Sequence, residues 1–258
     1  AGTAANGKIA LAKIPQINPD LLTLDVEMPE MDGLETVAAV RKLYPKLPVI
    51  MFSTLTQRGA ETTIEALSRG ANDYVTKPAN VGSVTEALQC LRDQLLPKIK
   101  LWCSKGATAN QLPLRPEPGT TKPVVAKRPN GQTAKIEIVA IGVSTGGPNA
   151  LSAVLPQIAA DFPVPIVIVQ HMPPVFTKLL AERLSSQSQL DVIEASAGDI
   201  LQPGTVYIAP GNYHMTLKRS GVNVVVELNQ ETPENSCRPA VDVTFRSAVQ
   251  LYGAGTLG

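Results

Sequence analysis

With 258 residues and a net charge of +1, the chain is long enough for two domains and carries no chain-wide basic footprint for nucleic acid. Hydrophobic residues at 44% supply a sizeable core and exclude disorder throughout, while aromatic residues at 4% argue against a base-stacking surface. No apolar run approaches the roughly 18 residues of a membrane span and the opening residues carry no signal-peptide pattern, so a soluble, cytoplasmic protein without membrane insertion is expected. Cys90, Cys103 and Cys237 are odd in number, far apart and outside any ligand spacing, which favours reduced thiols over a disulfide scaffold or a zinc site.

In chain order, Asp20–Asp25 and Leu47–Phe52 are apolar runs of buried-strand length, and Tyr74–Thr76 is a shorter third. Between them lie helical patterns: Leu34, Val37 and Ala38 share one face, and Ile64 and Leu67 anchor a second helix. A third opens with Ser83 as N-cap and Glu86 three residues on, followed by Val84, Ala87, Leu88, Leu91 and Leu95 at helical spacing. From about Ser104 to Ala134 the periodicity vanishes and Pro113, Pro116, Pro118, Pro123 and Pro129 appear among Gly, Thr, Lys and Arg, which predicts a semi-stiff linker whose basic excess is plain solvation. Beyond it, Ile136–Val143 reads as a strand, Ser144–Gly147 as a turn, and Pro148 as the first position of a helix through Leu151, Val154 and Leu155. Pro165–Gln170 is another buried strand ending at His171. Thr205–Pro210 and Val222–Leu228 are further strands, the latter closing a hairpin through Arg219–Gly221. Strands alternating with helices predict two α/β domains, each a doubly wound parallel sheet.

In such sheets ligand chemistry collects beyond the carboxyl ends of the strands. Asp25 ends the first strand, Ser53 the second, and Lys77 follows the third. A carboxylate, a hydroxyl and an ammonium converging there would suit a phosphoryl group, the carboxylate as acceptor and the others binding its oxygens. Each alone is ordinarily a turn or boundary residue. Together, Leu24–Gly33, the Met51–Ser53 strand end and Tyr74–Pro78 resemble the receiver domain of two-component response regulators over nearly all of residues 1–97. The resemblance implies a flavodoxin-like fold, phosphorylation of Asp25, Ser53 as switch hydroxyl, Lys77 as the conserved cation, Tyr74 as switch aromatic, and Asp25 with the Glu27 carbonyl in a Mg²⁺ shell. Receivers also hold Mg²⁺ with an acid pair on a first strand, and nothing before Thr23 reads as that strand. A first strand and helix are therefore expected to be missing from this stretch.

The second constellation is Gly142-Val143-Ser144-Thr145-Gly146, a G-x-S-x-G turn that exposes a hydroxyl above a sheet, with amides at the following helix start facing outward. Read instead as a degenerate dinucleotide fingerprint, it would want an acid ending the next strand. His171 stands there, and adjacent parallel strands can bring Ser144 and His171 together as nucleophile and general base. Because Ser144 and His171 are only 27 positions apart, a triad acid should follow the histidine in sequence. His214 reads as a loop residue at the rim of the site.

Ala140–Gly147, Gln170–Pro174, Tyr207–Gly211 and Arg238–Asp242 resemble the catalytic domain of the chemotaxis protein-glutamate methylesterases, over all of 135–258. With the receiver (1–97) and linker (98–134), the resemblance spans the whole chain. It implies demethylation and deamidation of the cytoplasmic helices of chemoreceptors through Ser144 and His171, with Thr145, Gly146 and Gly147 in the active-site turn and activation by phosphorylation. No cofactor would serve catalysis. The family's triad aspartate finds no match before Gly258, and Asp199 and Asp242 belong to other motifs, so this stretch by itself is expected to be inactive. Two rivals are a regulator with a DNA-binding output, which the absence of a basic helix disfavours, and a non-catalytic receptor-binding adaptor with a degenerate esterase domain.

Overall fold

The computed structural model describes residues 1–78, 82–104 and 135–258. The Pro-rich core of the expected linker, 105–134, lies outside the described residues.

The first unit is a three-stranded parallel sheet, β1 (Leu22–Asp25), β2 (Val49–Ser53) and β3 (Asp73–Thr76), in that order. Register pairs Asp25 with Phe52 and Ser53 with Thr76, so the strand ends that carry polar residues lie side by side. Helix α2 (Gly33–Leu43) starts on a full capping box, in which Asp32 and Glu35 each accept the other's backbone N–H. It buries Thr36, Val37 and Val40, one helical face. Helix α3 (Gln57–Ser68) buries Ala60, Thr63, Ile64 and Leu67 at the same spacing.

Two elements differ from the sequence reading. Residues ahead of β1 form a helix, α1 (Gly7–Ile17), capped by the Asn6 side chain and closed by Asn18 in the left-handed region. Pro15 concealed it: a proline inside a short apolar pattern reads as a break, yet Ala10 and Ile14 still bury one face. Helix α4 (Val84–Cys103) starts at Ser83 as expected, but the Glu86 carboxylate accepts from Gly82 N, one residue before the N-cap. It runs on through Pro97 to Cys103, into residues expected to open the linker, and none of its residues is buried. Val84 and Leu88 of the anticipated stripe are exposed. A period of 3.6 predicts helix; it does not say whether anything packs on the stripe.

The second unit is a five-stranded parallel sheet in the order β10–β4–β5–β7–β6, formed by β4 (Ile138–Val143), β5 (Ile166–Gln170), β6 (Asp191–Glu194), β7 (Thr205–Ile208) and the two residues of β10 (Thr256–Leu257). On one face lie α5 (Gly147–Val154) and α6 (Phe176–Gln187), whose Leu151, Phe176, Leu180 and Leu184 pack with Ile166 and Ile168. On the other lie the hairpin β8 (His214–Ser220) and β9 (Asn223–Asn229) and helix α7 (Val241–Tyr252). Met215, Leu217, Val224 and Val226 of the hairpin meet Ile138, Ala140, Val167 and Val169 of the sheet.

The expectation for His214 is corrected here. It is a strand residue only 1% exposed, with Nε2 against Thr232 O and Nδ1 accepting from Ala240 N. Neighbouring Met215 is buried as well, so the strand's opening lacks the alternation that would have announced it. The two units share one apolar cluster, in which Val37, Val49 and Tyr74 of the first are continuous with Leu151, Phe176 and Leu180 of the second.

Candidate active site and its regulatory neighbour

At the carboxyl edge of the small sheet, the Lys77 ammonium lies 2.6 Å from Asp25 Oδ2, with both side chains 38% exposed. Asp25 Oδ1 accepts the Glu27 N–H at 3.3 Å. A carboxylate so placed is reachable from solvent and keeps a cation at hand for a phosphoryl group's charge. Ser53 is fully buried, and its hydroxyl donates to Thr54 O and Gly59 O instead of turning toward Asp25. Glu27 aims its carboxylate at Arg58, 4.0 Å away. Among the described residues no three His, Cys, Asp or Glu gather as a metal site. Asp25 and the Glu27 backbone alone do not make a Mg²⁺ shell, because a hard cation of that size requires near-octahedral oxygen ligation.

Tyr74 is buried and stacks on Phe176 of α6, ring centroids 5.1 Å apart and planes 11° from parallel. The Lys98 ammonium sits 5.5 Å from the same ring. Burial pushes the Tyr74 phenol far above its usual range, with the Asp73 charge adding to the effect, so the hydroxyl stays protonated. The aromatic expected to act as a switch thus lies in direct contact with the other unit.

The Ser144 turn is built by the ends of β4 and β5. Their register pairs Val143 with Gln170, and the next residues on each strand, Ser144 and His171, bring Oγ within 3.3 Å of Nδ1. Gly146 has φ +74°, a left-handed conformation that glycine adopts without strain, and it ends the turn where α5 begins. Burial lowers the His171 pKa below its ordinary 6.5, so the imidazole is neutral near pH 7 and can accept the serine proton. Its Nε2 is buried and has no hydrogen-bond partner among the described residues. Asp199 accepts from Ser196 N and Asp242 from Asn235 Nδ2, so each is engaged elsewhere, as their motifs suggested.

Three features escaped the sequence reading. Cys237 Sγ lies 3.7 Å from His171 Nδ1, beside Ser144, and burial raises its thiol pKa, so it stays a protonated neighbour. A cavity of about 460 Å³ opens against His171 between Met172, Pro174 and Arg238. The Arg238 guanidinium donates to Asn212 Oδ1 and to the carbonyls of Gln230 and Glu231, tying down the loops on the cavity's far side. Arg238 opens the quoted Arg238–Asp242 motif and Cys237 adjoins it, but nothing in the local pattern predicted the contact of Cys237 with His171 or a cavity shared by Arg238 and His171.

The third feature joins the two units. Gly146 has no side chain to cap α5, and Asp73 of β3 supplies the cap, its Oδ2 accepting the Gly146 N–H at 3.1 Å. The other Asp73 oxygen accepts from the Lys98 ammonium of α4. Asn149 donates to the carbonyls of Ala71 and Asn72, Trp102 lies over Gly146, and Arg183 pairs with Glu65 at 3.1 Å. A buried carboxylate from the first unit is therefore seated on the backbone two residues past Ser144.

The family model for the CheB methylesterase matches residues 139–258, and that for the response regulator receiver domain matches residues 1–89. A protein-glutamate methylesterase/protein-glutamine glutaminase of Trichodesmium erythraeum is 55% identical over 259 aligned residues, covering all of this chain and 72% of the relative. One of the same description from a Nocardioides species is 49% identical, covering 99% of this chain and 70% of the relative. The crystal structure of the Thermotoga maritima CheB methylesterase catalytic domain is 48% identical, covering 47% of this chain and 65% of that one with a TM-score of 0.46.

Proposed function

Because the chain belongs to the CheB methylesterase family and carries a response regulator receiver domain ahead of its esterase domain, we propose that it hydrolyses glutamate γ-methyl esters and deamidates glutamines on the cytoplasmic helices of chemoreceptors. One observation carries this reading: the Ser144 hydroxyl stands 3.3 Å from the neutral imidazole of His171 at the ends of neighbouring strands.

In the proposed reaction His171 takes the Ser144 proton as Oγ attacks the ester carbonyl. The carbonyl π electrons move onto oxygen; Gly147 N–H is held by the Ser144 carbonyl and Pro148 has none, so at the start of α5 it is the Gly146 N–H, once Asp73 has left it, that can face the oxygen. Collapse of that intermediate breaks the C–O bond, and His171 returns its proton to the leaving methoxide, releasing methanol. Water, deprotonated by His171, then cleaves the acyl-enzyme to a glutamate carboxylate and restores Ser144. A glutamine follows the same course with ammonia as leaving group. No cofactor takes part in these steps.

Regulation would enter at Asp25. A chemotaxis histidine kinase supplies the phosphoryl group, Lys77 balances its charge, and β3 links that edge to Tyr74 and Asp73 on the esterase unit. Unphosphorylated, the receiver holds the Gly146 turn; phosphorylation shifts the population toward arrangements in which Asp73 has left it. Mg²⁺, which the receiver family implies, would need acidic ligands besides Asp25. No described helix is long and apolar enough to cross a membrane, which fits a cytoplasmic site of action.

The test is methanol release from methylated receptor by the full-length protein. Ser144→Ala should lower the rate at least about 10³-fold. Undiminished release would end the catalytic assignment, and a wild type that binds receptor yet releases none would be the non-catalytic adaptor.

A further inference from the structure

Gln170 ends β5 and is only 2% exposed, and a polar side chain so buried has to find partners within the protein. Its Nε2 donates to the Ser144 carbonyl at 3.1 Å and to the His171 carbonyl at 3.4 Å. Both acceptors are carbonyl oxygens, so the nitrogen end of the amide must face them. The last rung of the ladder between β4 and β5 is His171 N–H to Val143 O at 3.3 Å. Beyond that rung, a single NH₂ group ties the backbone of the serine to the backbone of the histidine.

The other end of the amide lies against the second glycine of the turn. Gly146 is favoured by its dihedral angle; at Gly147 a Cβ would lie 1.9 Å from Gln170 Oε1 and 2.9 Å from Val143 Cβ, so the absent side chain leaves room for both. That oxygen is buried without a hydrogen-bond partner. A residue serving packing alone would do better as an apolar side chain of equal volume, which carries no orphaned acceptor. The orphan is tolerated where the donor end performs a task that apolar atoms cannot.

We propose that Gln170 is a positioning residue that sets the separation of Ser144 Oγ and His171 Nδ1 by clamping the two backbones to each other. The proposal rests on the reading of that pair as nucleophile and base. It assigns a role to the carboxamide of the Gln-His segment. The role differs from that of the triad acid, which acts on the ring of His171; Gln170 acts on the main chain and fixes where the ring and the hydroxyl start.

The test compares full-length wild type with Gln170→Met, near-isosteric but without donors, and with Val40→Ala, a core truncation in α2 remote from the turn that lowers Tm without touching it. Each is measured for kcat and KM of methyl ester hydrolysis and for the rate at which a fluorophosphonate labels Ser144. Gln170→Met should lose roughly 10- to 100-fold in kcat, since misplacement by about 1 Å costs about that much, with KM within about twofold and labelling slowed in parallel. Val40→Ala should keep both rates at temperatures well below its Tm. Gln170→Met retaining kcat and labelling within about twofold overturns the proposal while leaving the Ser–His reading intact. So does a loss that Val40→Ala reproduces at equal Tm. A wild type that neither labels at Ser144 nor releases methanol removes the Ser–His reading, and the proposal with it.

Discussion

Strand β3 carries an Asp–Lys pair at each end, and the two pairs do opposite work. At its carboxyl end Lys77 meets Asp25 in the open, both side chains 38% exposed. At its amino end Asp73 meets Lys98 with exposures of 4% and 17%, and the same carboxylate caps α5 of the other unit. The chemistry of the two pairs is identical and their solvation is not. An exposed pair gains little from its Coulomb attraction, and its carboxylate stays available to a phosphodonor. A buried pair has lost its hydration and depends on each hydrogen bond it makes, so it is suited to holding two units in one arrangement. What separates an aspartate open to a phosphodonor from a sealed one here is access to water.

The comparison breaks most readily at the buried end. Asp73→Ala leaves the Lys98 charge unpaired and α5 uncapped, and should cost about 3–5 kcal/mol in urea unfolding; a cost below about 1 kcal/mol would erase the distinction. Asp73→Asn keeps the shape but removes the charge, weakening the grip on Gly146. It should raise the basal methylesterase activity of the unphosphorylated full-length protein several-fold, leave phosphodonor-stimulated activity in place, and speed hydrogen exchange at the Gly146 amide. Asp25→Asn, at the exposed end, should shift stability by no more than about 1 kcal/mol while abolishing both phosphate incorporation and stimulation.

The smallest effect concerns His171, where partial burial again decides. Its folded pKa is lowered, so the neutral base persists as pH falls through 6.5, and the acid limb of kcat/KM should have its midpoint below that ordinary value. The linkage has the matching sign: the unfolded chain binds the proton more readily, so this group's contribution to stability is full above about 6.5 and falls away as pH drops toward the folded value. A midpoint at or above 6.5 would contradict the burial effect.

The contact between Ser144 and His171 was legible because its geometry follows from local rules. Two apolar runs of strand length with a helix pattern between them imply adjacent parallel strands, and residues just past their carboxyl ends must be neighbours. The adjacency of Ser144 and His171 needed nothing more; their roles rest on the family resemblance. The Asp25–Lys77 pair was legible for the same reason. Helix α1 was hidden by Pro15, the strand at His214 by consecutive buried residues, and the exposed stripe of α4 by the limits of periodicity itself.

Other contacts had no such route. Asp73 lies 73 positions from Gly146, Cys237 lies 66 from His171, and Tyr74 meets Phe176 across a segment with no periodic pattern. Nor did the sequence distinguish which residues beside a recognised motif would act on it. Gln170 looked like one more strand residue until its carboxamide was seen to span two carbonyls.

The sequence by itself determined the α/β class, the strand ends on which chemistry collects, and the residue types at those ends, because hydrophobic period and turn chemistry are properties of neighbours along the chain. Tertiary structure alone decided which aspartate is open and which is sealed, which unit caps α5, and which side chain bridges the Ser144 and His171 carbonyls. Burial and hydrogen-bond partnership are set by what packs from elsewhere in the chain, and solvation determines what a charged or polar group can do.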